Sequence, residues 1–233
     1  MWKILSALAV AVGVSGGPAL AALKGDAKAV AAAEKMIDRL GGGDVWASAR
    51  TLRLVYHGWQ SASGQPVIET AIRDLAEPYQ LITYEGRRTH TTFSMTPAAS
   101  WLKQLKGERR FTEEEHALNI AFFDYDFYTI IRSLARGDER LALSDLGDRK
   151  IGIRGPDDAD WGWFEIDATG QPVRWGANYG DEKLEYIYGP VKSFGNIEFP
   201  AWGAASDGSW RFDYVDVDVD RAPPNLKLVA PKK

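Results

Sequence analysis

The side chains able to do chemistry are few and scattered. His57, His90 and His116 are the only imidazoles, and none has a partner at metal-ligand spacing. Glu113-Glu114-Glu115-His116 lacks the second histidine, four residues away, that a helical zinc-protease site needs. Each histidine therefore reads as a lone polar or packed side chain. Cysteine is absent, which excludes thiol catalysis, a disulfide framework, Cys-held iron–sulfur clusters and Cys-based zinc sites. The pattern Gly13-Val14-Ser15-Gly16-Gly17 has nucleophile-elbow spacing but lies in an apolar leader, not between a strand and a helix. No phosphate-cradling glycine loop occurs. Asp213, Asp216, Asp218 and Asp220 form the sharpest acidic cluster. Carboxylates two apart on a strand lie about 7 Å from one another, too far for several to share one calcium ion without a loop. A solvated strand that resists edge pairing is the simpler account, and Asp157-Asp158-Ala159-Asp160, beside Pro156, is a similar turn. No catalytic residue, metal or cofactor follows from these patterns.

Aromatic side chains are the stronger lead. The chain has 9 Trp, 9 Tyr and 9 Phe, a density that favours a β-rich core or an apolar binding surface. Phe122, Phe123, Phe127, Tyr128, Ile130 and Ile131 crowd one helical stretch with more apolar surface than a single packed face needs. Such a helix is either sandwiched in the core or lines a cavity for an apolar ligand. Phe122, Phe123, Phe127, Tyr128 and Ile131 are the ligand-binding candidates, with Trp101 on the preceding segment.

The elements that would position them follow from periodicity. The 233 residues carry 28 Lys+Arg and 32 Asp+Glu, an acidic balance without the basic patch of a nucleic-acid binder. The first 21 residues read as a cleaved export signal: Lys3, an apolar run from Leu5 to Val14, then Ala19-Leu20-Ala21 before the cut. That run is too short to span a bilayer. The mature chain, 22–233, is expected to be one periplasmic domain with no transmembrane segment. Residues 26–40 read as a helix ended by Gly41-Gly42-Gly43. Residues 51–59, 67–75, 79–84 and 88–93 read as a meander of strands. Residues 97–105 read as a short helix, and 112–136 as one long helix opened by a Thr112/Glu115 capping box and closed by Gly137. Strands resume at 140–146, 150–154, 161–166, 172–178, 183–188, 197–199 and 209–219. In the last, Trp210, Phe212 and Tyr214 are out of phase with Val215, Val217 and Val219, which predicts a bulge near Tyr214 and Val215.

This order of elements resembles the periplasmic lipoprotein-carrier superfamily, which includes the lipoprotein-sorting carrier, its outer-membrane receptor and mycobacterial glycolipid carriers. The resemblance is carried by Glu77-Pro78-Tyr79 opening a strand and Glu85-Gly86 in the next turn. It continues through the hairpin from Phe164 to Arg174 around Asp167-Ala168-Thr169-Gly170, and the late segment Gly195-Asn196-Ile197-Glu198-Phe199-Pro200. It implies an α+β fold: a strongly curved antiparallel sheet, an unclosed barrel, with helices over its concave face and an apolar cavity between them for acyl chains. The sorting carriers tend to have Arg before that early Pro, where this chain has Glu77.

Two functions lead, ahead of a hydrolase built on unmarked residues, for which no motif speaks. One is a periplasmic binding or carrier protein for a lipid or other apolar ligand, acting by burial and not by covalent chemistry. The other is an envelope scaffold or sensor module that binds a protein partner. An enclosed cavity favours the first and a large exposed aromatic patch the second.

Overall fold

The computed structural model describes residues 23–60 and 64–226, so the expected signal segment lies outside the described residues. The N-terminal part runs β1 (Lys24–Gly25), α1 (Ala27–Arg39), α2 (Gly43–Ser48), β2 (Thr51–Gln60), β3 (Gln65–Asp74), β4 (Gln80–Gly86), β5 (Thr89–Thr96), β6 (Ala99–Gln104) and β7 (Gly107–Arg110). Two helices follow, α3 (Glu113–Tyr125) and α4 (Phe127–Ala135). Then come β8 (Ala142–Asp145), β9 (Lys150–Arg154), β10 (Asp160–Ile166), β11 (Pro172–Tyr179), β12 (Glu182–Tyr188), β13 (Val191–Phe194), β14 (Ile197–Pro200), β15 (Trp202–Ala205) and β16 (Trp210–Asp220).

Fourteen strands form one sheet in the order β1-β8-β9-β10-β11-β12-β15-β16-β2-β3-β4-β5-β6-β7, while β13 and β14 make a separate hairpin. Among the described residues only the β1–β8 pair is parallel, and β1 and β7 end the order, so the sheet they form is not closed into a barrel. Two meanders, β2–β7 and β8–β12, are thus joined through β15 and β16. Along the β16–β2 seam the register shifts between Tyr214 and Asp216. This is the bulge that the phase inversion predicts. Phe212, Tyr214 and Val217 are consequently all buried, and Val215 is turned out to solvent.

Helices α1, α2 and α4 share one core with the sheet. Ala29, Ala33, Met36 and Ile37 of α1 recur at helical spacing and are buried. Trp46 of α2 donates its indole N–H to the Leu40 carbonyl at 2.9 Å, satisfying a helix-end acceptor of α1. Arg132 of α4 donates to the carbonyls of Ala49 and Leu75, tying the helix to the entry of β2 and the exit of β3.

Two expected helices are corrected. Residues 97–105 are not helical: β6 lies there, paired with β5 and β7. Ser100 to Gln104 is too short for periodicity to choose between helix and strand, and cross-strand pairing decides. Thr96 Oγ1 accepts from the Ala98 and Ala99 amides and closes the turn before it. The stretch 112–136 is two helices, because Asp126 leaves the helical region at φ -67°, ψ 160° and becomes the N-cap of α4. Its carboxylate accepts the Tyr128 and Thr129 amides, each at 2.9 Å. The ends are as expected. Thr112 and Glu115 form the capping box, and Gly137 at φ 62° closes α4 with the Asp138 amide bonded to the Ser133 carbonyl. Thr112→Ala is expected to cost about 1 kcal/mol through loss of that box, measured as a lower urea midpoint.

Candidate functional site

The site is built from one face of β3. The pleat puts Val67, Glu69, Ala71 and Arg73 on the same side. Pairing then sets Glu69 directly opposite Tyr56 of β2 and Tyr84 of β4, with Tyr214 of β16 opposite Tyr56. One row across four strands therefore reads Tyr214, Tyr56, Glu69, Tyr84. The Tyr214 hydroxyl meets that of Tyr128, from α4, at 2.8 Å. In the neighbouring row Phe212 stands opposite Gly58. The Trp210 indole lies over Gly58 so closely that a Cβ there would be 2.1 Å from the ring.

Above these rows is a cavity of about 580 Å³. The sheet contributes Tyr56, Glu69, Arg73, Tyr84, Trp210 and Phe212; the junction of α3 and α4 contributes Phe122, Asp126, Phe127 and Tyr128. The far wall is Trp175 of β11 with Leu184, Tyr186 and Tyr188 of β12. Trp175 and Tyr186 stack at 5.8 Å between ring centres, and Phe122 sits edge-on to Tyr179 at 5.2 Å.

Among the described residues, three charged side chains interrupt this apolar lining. Arg73 donates Nη1–H to Asp126 Oδ2 at 2.8 Å and stands 5.0 Å from the Tyr128 ring centre. Its Nε is buried and has no hydrogen-bond partner among the described residues. Burial raises the Asp126 carboxyl, against the opposing pull of Arg73 and the two amides it caps. Glu69 is 2% exposed. Burial pushes its carboxyl up to about 7; hydrogen bonds from Tyr56 and Tyr84 and the Arg73 charge oppose the shift without cancelling it. Burial also holds the Tyr56, Tyr84 and Tyr128 hydroxyls well above the usual tyrosine range, so they remain neutral near pH 7.

Of the residues expected at the site, Phe122, Phe127 and Tyr128 line the cavity together. Phe123 points to the other side of α3, beside a polar cleft with Asp124, Arg132 and Arg136. The break at Asp126 separates its face from that of Phe127. Ile131 is fully buried in the helix–sheet core. Trp101 lies on β6, opposite Ser94 and Arg110, because that segment is a strand. Sequence patterning missed Glu69, Arg73 and Asp126 and the rings of Tyr56, Tyr84, Tyr186 and Trp210. The available signal was two charges, Glu69 and Arg73, in phase with Val67 and Ala71.

Three other groups noted in the sequence have ordinary partners. His116 bridges the Ser100 hydroxyl at 2.9 Å and the Pro97 carbonyl at 3.2 Å, fastening α3 to β6. Asp216 pairs with Arg53, and Glu77 with Arg50 at 2.9 Å. Among the described residues, no three His, Asp or Glu side chains gather as a metal site, and no helix is long and apolar enough to cross a membrane.

A large open antiparallel sheet, a few helices and a ligand-sized, aromatic-walled cavity define a β-rich protein compatible with a binding or carrier role. No family model and no curated protein matches the chain in sequence. Among solved structures it is similar to a DUF1329 family protein from Desulfovibrio piger, at 9% identity and a TM-score of 0.49, over 86% of this chain and 95% of that one. An uncharacterized conserved protein from Thermus thermophilus is similar at 8% identity and a TM-score of 0.34, over 81% of this chain and 87% of that one. Neither likeness bears on function.

Proposed function

We propose that the chain is an exported, periplasmic binding or carrier protein for a lipid or other apolar ligand. In this reading the sheet curves about α4 as a half-barrel, and the ligand enters between the sheet and the α3–α4 junction. It acts by burial, without covalent chemistry. The supporting observation is the cavity of about 580 Å³ walled by tyrosine, tryptophan and phenylalanine from both sheet and helices. Small-molecule sites fall at roughly 300–1,000 Å³ and are mostly apolar with a few placed polar groups. Each buried methylene of a ligand would contribute about 0.8 kcal/mol.

Titration with an uncharged fluorescent probe, a pyrene-labelled fatty alcohol, tests this. Leu184→Trp, which adds a ring to the far wall, is expected to weaken binding at least about tenfold while the melting transition is kept. Phe127→Asp would be a poorer probe. Phe127 packs against Tyr128, Phe164, Trp175, Tyr188 and Phe199, so a charge there would unfold the core before it reported on binding. The scaffold alternative draws on Trp59 and Ile68, which are 48% and 46% exposed on the outward face of β2 and β3. A folded wild type that binds no apolar probe would bring that alternative forward.

A further inference from the structure

With Glu69 ionised, the charges in the cavity do not balance. Among the described residues its lining holds one cation, Arg73, and two acids, Glu69 and Asp126. Arg73 gives its ion pair to Asp126 at 2.8 Å, and Asp126 is also bound by two amides of α4. On Glu69, Arg73 acts only through its charge. Glu69 is thus a nearly buried carboxyl, held from both sides by the tyrosines of its own row, facing a space walled by rings.

We propose that the ligand of this cavity carries a cationic head, an ammonium group, seated between the Glu69 carboxylate and the rings of Tyr56, Tyr84 and Tyr186. The inference rests on the binding reading above and names the polar end of its ligand. One monovalent cation brings the charged cluster to neutrality, and an anionic head would add a third negative charge in the same desolvated space. Electron-rich rings attract an ammonium group, most strongly where water is excluded. The Tyr56 and Tyr84 hydroxyls would keep donating to the carboxylate and hold it in place.

The geometry implies a dependence on pH. Glu69 is faced by Tyr56 of β2, Arg73 of its own strand, Tyr84 of β4, Tyr128 of α4 and Tyr186 of β12, with Asp126 beyond Arg73. The tyrosines are all held above their ordinary range, and Asp126 is committed to Arg73. Glu69, at about 7, is the member of this set that changes charge near neutrality. A cation must meet it ionised, so affinity rises with pH through that region and binding releases a proton.

Calorimetric titration of the purified mature chain with decyltrimethylammonium, decanoate and decanol separates the possibilities. At pH 8 the cation is expected to bind about tenfold or more tightly than decanoate, the equivalent of one pK unit of interaction. Its affinity should fall as the pH is lowered to 5.5. In Glu69→Gln the three probes should come within a few-fold of one another and the pH dependence should flatten. A second measurement needs no variant. Titration of the wild type at pH 7 in two buffers of different ionisation enthalpy should show fractional proton release with the cation. Equal affinity for the three heads, tighter binding of decanoate, or the lack of proton release would overturn the cationic head and leave the apolar site standing. Binding of none of the three by folded protein would overturn the apolar site itself.

Discussion

Replacing Arg73 with Met is expected to lower the stability by about 3 kcal/mol, the lower end of the range for breaking a buried ion pair. The Asp126 carboxylate would lose its 2.8 Å partner while 4% exposed, with only the Tyr128 and Thr129 amides left to it. Those two charge-assisted hydrogen bonds are why the loss should not reach the upper end. Asp126→Ala should cost more, about 4 kcal/mol, because it removes the N-cap of α4 as well as the pair and leaves the guanidinium buried alone. The double variant Arg73→Met/Asp126→Asn should recover part of either loss, since neither member of the pair is left charged without the other. Urea unfolding at pH 7 measures all three. A loss below about 1 kcal/mol for Arg73→Met would mean that water already reaches the pair, as for exposed ion pairs.

That pair also shows what the sequence could reveal and what it could not. The bulge in β16 was legible because the inversion between Tyr214 and Val215 lies within ten consecutive residues, Trp210 to Val219, in which aromatic and aliphatic side chains alternate with charged ones. The capping box and Gly137 were legible for the same reason: each is a local pattern with one structural answer. The break at Asp126 was harder. No Gly or Pro marks it, and the residues on both sides are apolar. The clue was Asp126 itself, a favoured N-cap residue hidden inside a longer apolar period.

The polar floor of the cavity was illegible for a different reason. In β3, Ile68 and Ile72 alternate with Val67 and Ala71, so both faces carry strand-forming apolar residues. Apolar patterning alone gives no reason to place Glu69 and Arg73 inside and Ile68 outside. That choice is made by distant chain segments. Tyr56 and Tyr84 flank Glu69 across the sheet, β16 returns from the end of the chain to pair with β2, and Asp126 arrives on a helix to meet Arg73. The aromatic excess pointed to a β-rich core or an apolar binding surface, but which rings line the cavity depends on strand order, and strand order is not written in any one segment.

Glu69→Gln is expected to stabilise the unliganded protein at pH 8 by about 3 kcal/mol and to change it little at pH 4. Glu69 sits at about 7 in the folded chain against 4.5 as its ordinary value, and burial is the first cause. A group raised on folding favours the folded state fully below its unfolded value and loses that contribution as pH rises to the folded one. Here the loss falls between about pH 4.5 and pH 7. A difference of some 2.5 units at about 1.36 kcal/mol each gives the size of the effect. An amide cannot ionise, so the variant escapes the loss; it still accepts hydrogen bonds from Tyr56 and Tyr84 through its carbonyl oxygen. Urea unfolding of both proteins across pH 4 to 8 gives the two curves, which should converge on the acid side and separate through neutrality. Parallel curves would mean that Glu69 titrates near its ordinary value and that the cavity is wetter than its burial implies. A stabilising substitution in a binding site has a physical interpretation: the carboxylate is unfavourable in the empty fold, and its stability returns when a cation is bound. Decyltrimethylammonium at pH 8 should therefore raise the wild-type melting temperature more than that of Glu69→Gln.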